Sequence, residues 1–464
     1  MMLRRLAAVF IVLLLVNGLA LAGGPLRVTG RTAAQPGQPF VWPTGTPIRY
    51  TVDSGPLSAT PSGQTVISNA QGLARVQSLF QNWQSVPTAS LAFSYAGPIT
   101  GVPGGDVKTI QNFNTVQGSC KSGAQNPIIF DANGSLFRAL GLDPLVIGFA
   151  GTCKLDTQAG HILSAMVALN GQFQDGLTNQ SSQNPEITAQ QFDEAITHEL
   201  GHFLGLGHSQ VNEELFQSFI PGNCNKDQLA GLPLMFPIEF CQSRKSAGLP
   251  ILAPDDVAWI SKLYPASSFA TSYGTLSGFV LFSDGLTAAQ GVNVVARRVD
   301  DPATAVDESQ SIAFSVVSGY SFTGNPGQSI TGDNTGGSTF GSRNPALIGY
   351  YEIPVTPGNY TLQIENIDPS FTGGSSVGPL DPPTITIGAF AYWHHYESAF
   401  DNPAQRDAVT VVGGQKVSNL NFILNGTPPR FDEFEDGEVL LRRQEPTPFL
   451  LREPELVMYL DVTS

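Results

Sequence analysis

Between residues 47 and 52, Ile48, Tyr50 and Val52 alternate with polar neighbours, the period of a strand that buries one face. From about 67 to 83 the period lengthens. Leu73, Val76, Phe80 and Trp83 fall three and four apart, which predicts a helix. Alternation returns at Leu91, Phe93 and Tyr95. The order strand, helix, strand is that of a mixed sheet with helices packed on it. Apolar stretches at 127–130 and 145–150, each bounded by turn residues, predict short strands, and 163–170 predicts another with Met166, Ala168 and Asn170 on one face. Thr188 and Gln191 have the spacing of a capping box, and Phe192, Ile196, Leu200 and Phe203 form one apolar stripe, so a helix is expected over 188–204. Another is expected over 254–264, opened by Pro254, favoured by Asp255 and Asp256 at its positive end and stopped by Pro265.

Beyond residue 268 helical patterning is absent. Segments 275–282, 291–298, 311–317, 350–355, 360–364, 408–412 and 417–424 are short, strand-like and separated by Gly, Pro, Asn and Asp. They give about seven strands, enough for a small β-sandwich. The Gly/Ser/Asn-rich stretch 319–343 reads as a loop inside it. From 428 onward Asp432, Glu433, Glu435, Asp436 and Glu438 precede mixed charge, and a loosely ordered acidic tail is expected. The chain therefore divides into a leader at 1–22, a short segment at 23–40, an α+β domain at 41–268, an all-β sandwich at 269–427 and the tail at 428–464.

Composition narrows the class. With 464 residues, 13% of them charged, and 49 Gly and 34 Pro, the chain is globular, loop-rich and strand-rich, with a largely uncharged polar surface. A formal charge of -15 argues against nucleic acid or an anionic membrane as partner, because both require clustered Lys and Arg. Arg4 and Arg5, an apolar run over 6–16, and Ala20-Leu21-Ala22 have the layout of a secretory signal peptide. No later stretch reaches the ~20 apolar residues that span a bilayer, so a secreted protein without a membrane span is expected after cleavage. Export permits disulfides. The four Cys allow three pairings, of which the local clasps Cys120 with Cys153 and Cys224 with Cys241 are preferred by position, although sequence does not fix connectivity. Oligomeric state leaves no mark in the sequence.

The chemistry concentrates in His198-Glu199-Leu200-Gly201-His202-Phe203-Leu204-Gly205-Leu206-Gly207-His208. Residues four apart lie one helical turn above each other, so His198 and His202 present two imidazoles to one point. Gly205 can take positive φ, ending the helix and turning His208 toward the same point. Three imidazoles leave one position of a tetrahedral zinc ion open, as in catalytic rather than structural sites. Glu199 beside the first ligand is placed as general base, and the implied reaction is hydrolysis of an internal peptide bond. Of six His in the chain, three fall in these eleven residues, which makes a chance match improbable. Elsewhere, Asp131, Asn133 and Gly134 suit either a calcium loop or a plain Asx turn, with few carboxylates nearby. His394 and His395 are adjacent, and on a strand they would face opposite ways, against shared ligation.

The zinc motif and the turn Pro233-Leu234-Met235-Phe236-Pro237 resemble the metzincin peptidases, H-E-x-x-H-x-x-G-x-x-H followed by a Met-turn, and His208-Ser209 looks like the matrixin branch. The likeness covers roughly 41–268. It implies a mixed twisted sheet carrying the active-site helix, one catalytic zinc, and Met235 as an apolar floor and not a ligand. It further implies 163–170, with Ala168 and Asn170, as an edge strand on which extended substrate pairs, and Pro237 to Phe240 as a pocket wall. Two departures stand out: no Cys precedes Cys120 to supply propeptide latency, and only His161 is available for the second, structural zinc of animal members, so none is expected. The Gly and turn residues of the second half resemble carboxypeptidase-regulatory-like sandwich domains, which indicates no ligand. The expected activity is that of a secreted zinc endopeptidase acting on protein or peptide; the alternative is an inactive secreted binding or adhesion protein built on the same fold.

Overall fold

The computed structural model describes residues 23–30, 33–177, 186–209, 211–212, 215, 224–239, 241–300, 312–321, 344–365, 391–426 and 457–461. The expected leader at 1–22, most of the loop at 319–343, residues 428–456 of the tail, and Phe240 lie outside them.

The chain runs β1 (Ile48–Val52), β2 (Ser58–Ala59), β3 (Thr65–Ile67), α1 (Asn69–Gln84), β4 (Phe93–Pro98), α2 (Ile110–Ser122), β5 (Pro127–Asp131), α3 (Ser135–Leu140), β6 (Val146–Asp156), β7 (His161–Asn170), α4 (Ala189–Phe203), α5 (Lys226–Gly231), β8 (Ile238–Glu239) and α6 (Pro254–Leu263). The first helix starts two residues later than its apolar period suggests. Ile67 belongs to the β2–β3 hairpin, and Ser68 and Gln71 form a capping box that sets the boundary. Sheet order is β4-β1-β5-β7-β6, extended by two further strands discussed below. The pairs β4–β1, β1–β5 and β5–β7 are parallel and β7–β6 is antiparallel, so the fold mixes α and β elements around one mixed sheet. Helices α1 and α4 pack together on it through Val76, Phe80, Trp83, Phe192, Ile196 and Phe203.

This order corrects one expectation. The strand at 163–170 is β7, and it is internal: Ala168 pairs with both Ile129 and Phe149, and Asn170 is buried with its amide donating to the Val146 carbonyl. A strand with neighbours on both sides has no free ladder to offer, and β6, next in order, is itself followed by the two further strands.

The second half continues with α7 (Phe269–Ser272), β9 (Gly274–Leu281), β10 (Asn293–Arg298), β11 (Ala313–Val317), β12 (Tyr350–Val355), β13 (Gly358–Glu365), β14 (Ala391–Tyr392), β15 (Val409–Val411), β16 (Lys416–Val417) and β17 (Phe422–Ile423). One sheet is ordered β11-β10-β13-β14 with β15 also on β13, and the other β12-β9-β16 with β17 also on β9. The run expected at 417–424 is split, because Asn419 adopts a φ of 65°, a left-handed conformation that Asn tolerates and a strand does not. The apolar faces of these strands merge with the core of the first half into one cluster, and Trp259 of α6 donates to the Ser315 carbonyl of β11 at 2.8 Å.

A second correction concerns the tail. Residues 457–461, expected to be loosely ordered, form β18 (Val457–Asp461), which lies between β6 and β8. Its apolar run Val457-Met458-Tyr459-Leu460 has strand composition, which the acidic stretch before it obscures.

The cysteines pair as preferred, Cys120 with Cys153 and Cys224 with Cys241, with Cα atoms 5.6 and 5.5 Å apart. The first ties α2 to β6. Among the described residues no helix is long and apolar enough to cross a membrane.

Candidate metal centre

The site is built on the second half of α4. Thr188 accepts from the Gln191 amide while the Gln191 side chain reaches back to the Thr188 amide, so the helix begins where the capping signal places it. Its far end is closed by an αL turn. Gly205, at φ 89°, donates to the His202 carbonyl at 2.9 Å and Leu206 donates to the Gly201 carbonyl at 3.0 Å, the two bonds of a Schellman motif. Carbonyls left over at this end are taken up from outside: Trp42 Nε1 donates to Phe203 and Tyr264 Oη to Leu204. The segment 23–30 braces the turn, Leu26 donating to the Gly205 carbonyl at 2.7 Å and Gly207 to that of Gly24 at 2.9 Å.

This turn brings His208 back to the helix. His198 Nε2 and His202 Nε2 lie 3.0 Å apart, as do those of His202 and His208, and all three rings are buried. The Nδ1 atoms of His198 and His202 each lie 2.8 Å from a carbonyl, Leu234 and Leu206 respectively. A carbonyl only accepts, so Nδ1 carries the proton and Nε2 a lone pair. Burial lowers the pKa of all three rings, His202 to about 4 and the others well below their ordinary value, with the neighbouring imidazoles pushing the same way on His198 and His208. Neutral rings whose lone pairs face one another at 3.0 Å repel unless a cation lies among them. Two ligands about 2.0–2.1 Å from a tetrahedral zinc ion are separated by about 3.3–3.4 Å. The donor set thus fits a small divalent ion, and these three side chains can bind a metal.

Glu199 is fully buried and packed on β6: a methyl group added to Gly148 would stand 2.8 Å from its Cγ and 2.9 Å from its Oε1. The turn at Met235 is held by hydrogen bonds. Asp256 accepts the amides of Leu234, Met235 and Ala253 at 2.8, 3.0 and 2.7 Å, and the Met235 carbonyl accepts from the Ser209 amide at 2.8 Å. Met235 fills the space that Gly201 leaves on α4; a Cβ there would stand 2.4 Å from its sulfur. Neighbouring Asp255 accepts the Ser209 hydroxyl at 2.6 Å and the Ser315 amide at 3.0 Å. Burial pushes its carboxyl up to about 7 against the pull of Ser209.

Sequence reasoning placed Asp255 and Asp256 only as acids at a helix start. Their roles as anchors of the Met-turn and of Ser209 were not visible, nor was the contact of Gly148 with Glu199. A pair of consecutive acids that both become fully buried is a signal of such anchoring, but burial cannot be read from a helix period this short. Pro237 is buried and leads directly into β8.

The other candidate residues separate from this site. Asp131 accepts the Phe137 amide at 2.8 Å and Asn133 the Ser135 amide at 3.1 Å, so both oxygens serve the start of α3 as an Asx turn does. His394 and His395 lie just past β14, not on it. His394 is buried with Nε2 at 3.0 Å from Asp401, while exposed His395 pairs with Asp407 at 2.8 Å. His394, Glu397 and Asp401 come close enough to share an ion, but Glu397 already accepts the amides of His394 and Ile423, and Asp401 that of Ser398 and the amide group of Asn425.

Compared with models of known protein families and with curated proteins, the sequence gives no match.

Proposed function

We infer that the chain is a secreted, zinc-dependent endopeptidase of the metzincin kind, matrixin-like in residues 41–268, and the observation that carries this reading is the convergence of three neutral imidazoles, two on a capped helix and one on the turn after it, with a buried carboxylate next to the first. His198, His202 and His208 would hold a zinc ion, which would supply Lewis acidity and make a water molecule more acidic. Glu199 accepts the proton of the attacking water and returns it to the leaving amine nitrogen. Its position is set by α4 on one side and by the Gly148 backbone on the other, and the buried setting strengthens every charge interaction it makes. The carbonyls of Leu234 and Leu206 fix the tautomer and aim of two ligand rings, as outer-shell partners of metal-bound His do. Met235 takes no part in ligation and supports the helix below. Substrate pairs as an extended strand on β6 rather than β7, and the segment from Pro237 into β8 forms the opposite wall. The two disulfides and the leader-like first residues support export.

The test is casein cleavage by wild type and Glu199→Ala, with zinc content measured on both. Loss of a general base lowers the rate by roughly 10²–10⁴-fold. The reading predicts that loss with zinc retained. Cleavage that persists undiminished in Glu199→Ala would eliminate the assigned base.

A further inference from the structure

Beside β6, the strand against which Glu199 packs, lies a further strand of the chain itself. Strand β18 pairs in parallel with β6, Tyr459 opposite Gly148, Leu460 opposite Phe149 and Asp461 opposite Ala150, and antiparallel with β8, Met458 opposite Ile238 and Val457 opposite Glu239. Gly148 is the residue against which Glu199 packs, so the middle of β18 lies one strand over from the proposed base. The same strand approaches α4, the helix that carries His198 and His202. Both ladders that an extended peptide would use on entering, one on β6 and one on β8, are already engaged.

Resting on the peptidase reading above, we propose that β18 is an intramolecular plug that holds the enzyme in a resting state by occupying the substrate groove. A tethered segment competes at an effective concentration of about millimolar, which a dilute substrate of micromolar affinity does not match unless the segment is weakly held or moved. The pairing is suited to release. It is five residues long, and its contact with β6 is parallel, the less stable arrangement per residue.

The test uses the full chain and Tyr459→Pro, because proline in a strand paired on both sides removes a ladder bond and fits badly. Circular dichroism and zinc content check that the variant is folded. In a Glu199→Ala background, a fluorescein-labelled synthetic peptide of residues 455–464 should bind Tyr459→Pro at least tenfold more tightly than the chain with Tyr459 intact. Without any variant, those amides of residues 146–150 that face β18 should be protected from hydrogen exchange, and in Tyr459→Pro they should exchange at least tenfold faster. With Glu199 present, kcat/KM for a short peptide should rise at least tenfold on Tyr459→Pro. Equal probe affinity, or equal exchange at 146–150, overturns the plug, as does an active wild type whose kcat/KM does not rise. Should Tyr459→Pro misfold, exchange at 146–150 in the unaltered chain decides alone, since rates of an open strand edge contradict the proposal. Binding and exchange need no catalysis: differences in both with no peptidase activity in either chain would sink the peptidase reading and leave the seated strand intact.

Discussion

Gly148 has no side chain, and the site depends on that. Glu199 lies against its backbone, and any Cβ would stand within 2.8 Å of the Glu199 side chain. Because both residues are buried, the carboxylate has little room to move aside. Gly148→Ala should therefore lower kcat/KM tenfold or more while zinc content stays unchanged; equal activity in the variant would show that the position of Glu199 is not set from β6. Gly205 illustrates a different constraint. At φ 89° an L side chain costs about 1–2 kcal/mol, and here the added Cβ would also stand 3.0 Å from Ile162. Gly205→Ala should lower Tm by a few degrees and weaken zinc retention against a chelator, because the same turn carries His208. Loss of stability with undiminished zinc retention would separate the turn from the ligand it is argued to place.

At the level of elements, much was legible because periodicity and capping agree. Helix α4 begins at its capping box and ends at its glycine, so its boundaries and the direction of His198 and His202 follow from sequence. The strands of the second half were found for a similar reason: turn residues punctuate them closely. Among the described residues four helices were missed; α7, a single turn of four residues, stands just past the point where helical patterning was expected to end. In α2 the buried positions Phe113, Val116 and Cys120 are spaced helically, but the intervening residues are almost all small or amide-bearing, and the segment reads as polar loop. Helices α3 and α5 have six residues each, under two turns, too short for a period to register. Strand order is the larger omission. Residues 163–170 show the composition of β7 but not its neighbours, and whether a strand is central or at an edge depends on contacts far away in sequence. That is why a substrate ladder was expected on Ala168 and Asn170, which lie on an internal strand.

At the scale of the whole molecule, the two halves are joined by buried and half-buried polar contacts as well as by one apolar cluster. Lys262 of α6 pairs with Glu352 of β12, which Lys416 also reaches, at 2.9 Å, and buried Arg297 of β10 binds both Glu365 and Asn212. Burial alone would raise the Glu352 carboxyl, but Lys262 and Lys416 outweigh it and hold it at about 2, below its ordinary 4.5. A depressed folded-state pKa stabilises the fold fully above the unfolded value, and that contribution is lost as pH falls from about 4.5 toward 2. Allowing for partial solvent screening, its size is about 1–2 kcal/mol. Wild type should therefore lose more Tm than Glu352→Gln between pH 6 and pH 3, and parallel losses would remove the ion pair from the account. The arrangement also makes the second half part of the support for the site, since Ser315 of β11 binds Asp255, which in turn holds Ser209 next to His208. The central claim, that His198, His202 and His208 together hold one zinc ion with a corner left open, is tested most directly by zinc K-edge X-ray absorption on the purified protein. It predicts a first shell of three imidazole nitrogens at about 2.0–2.1 Å and one light oxygen donor. A sulfur shell, a fourth imidazole, or a protein that retains no zinc would contradict it.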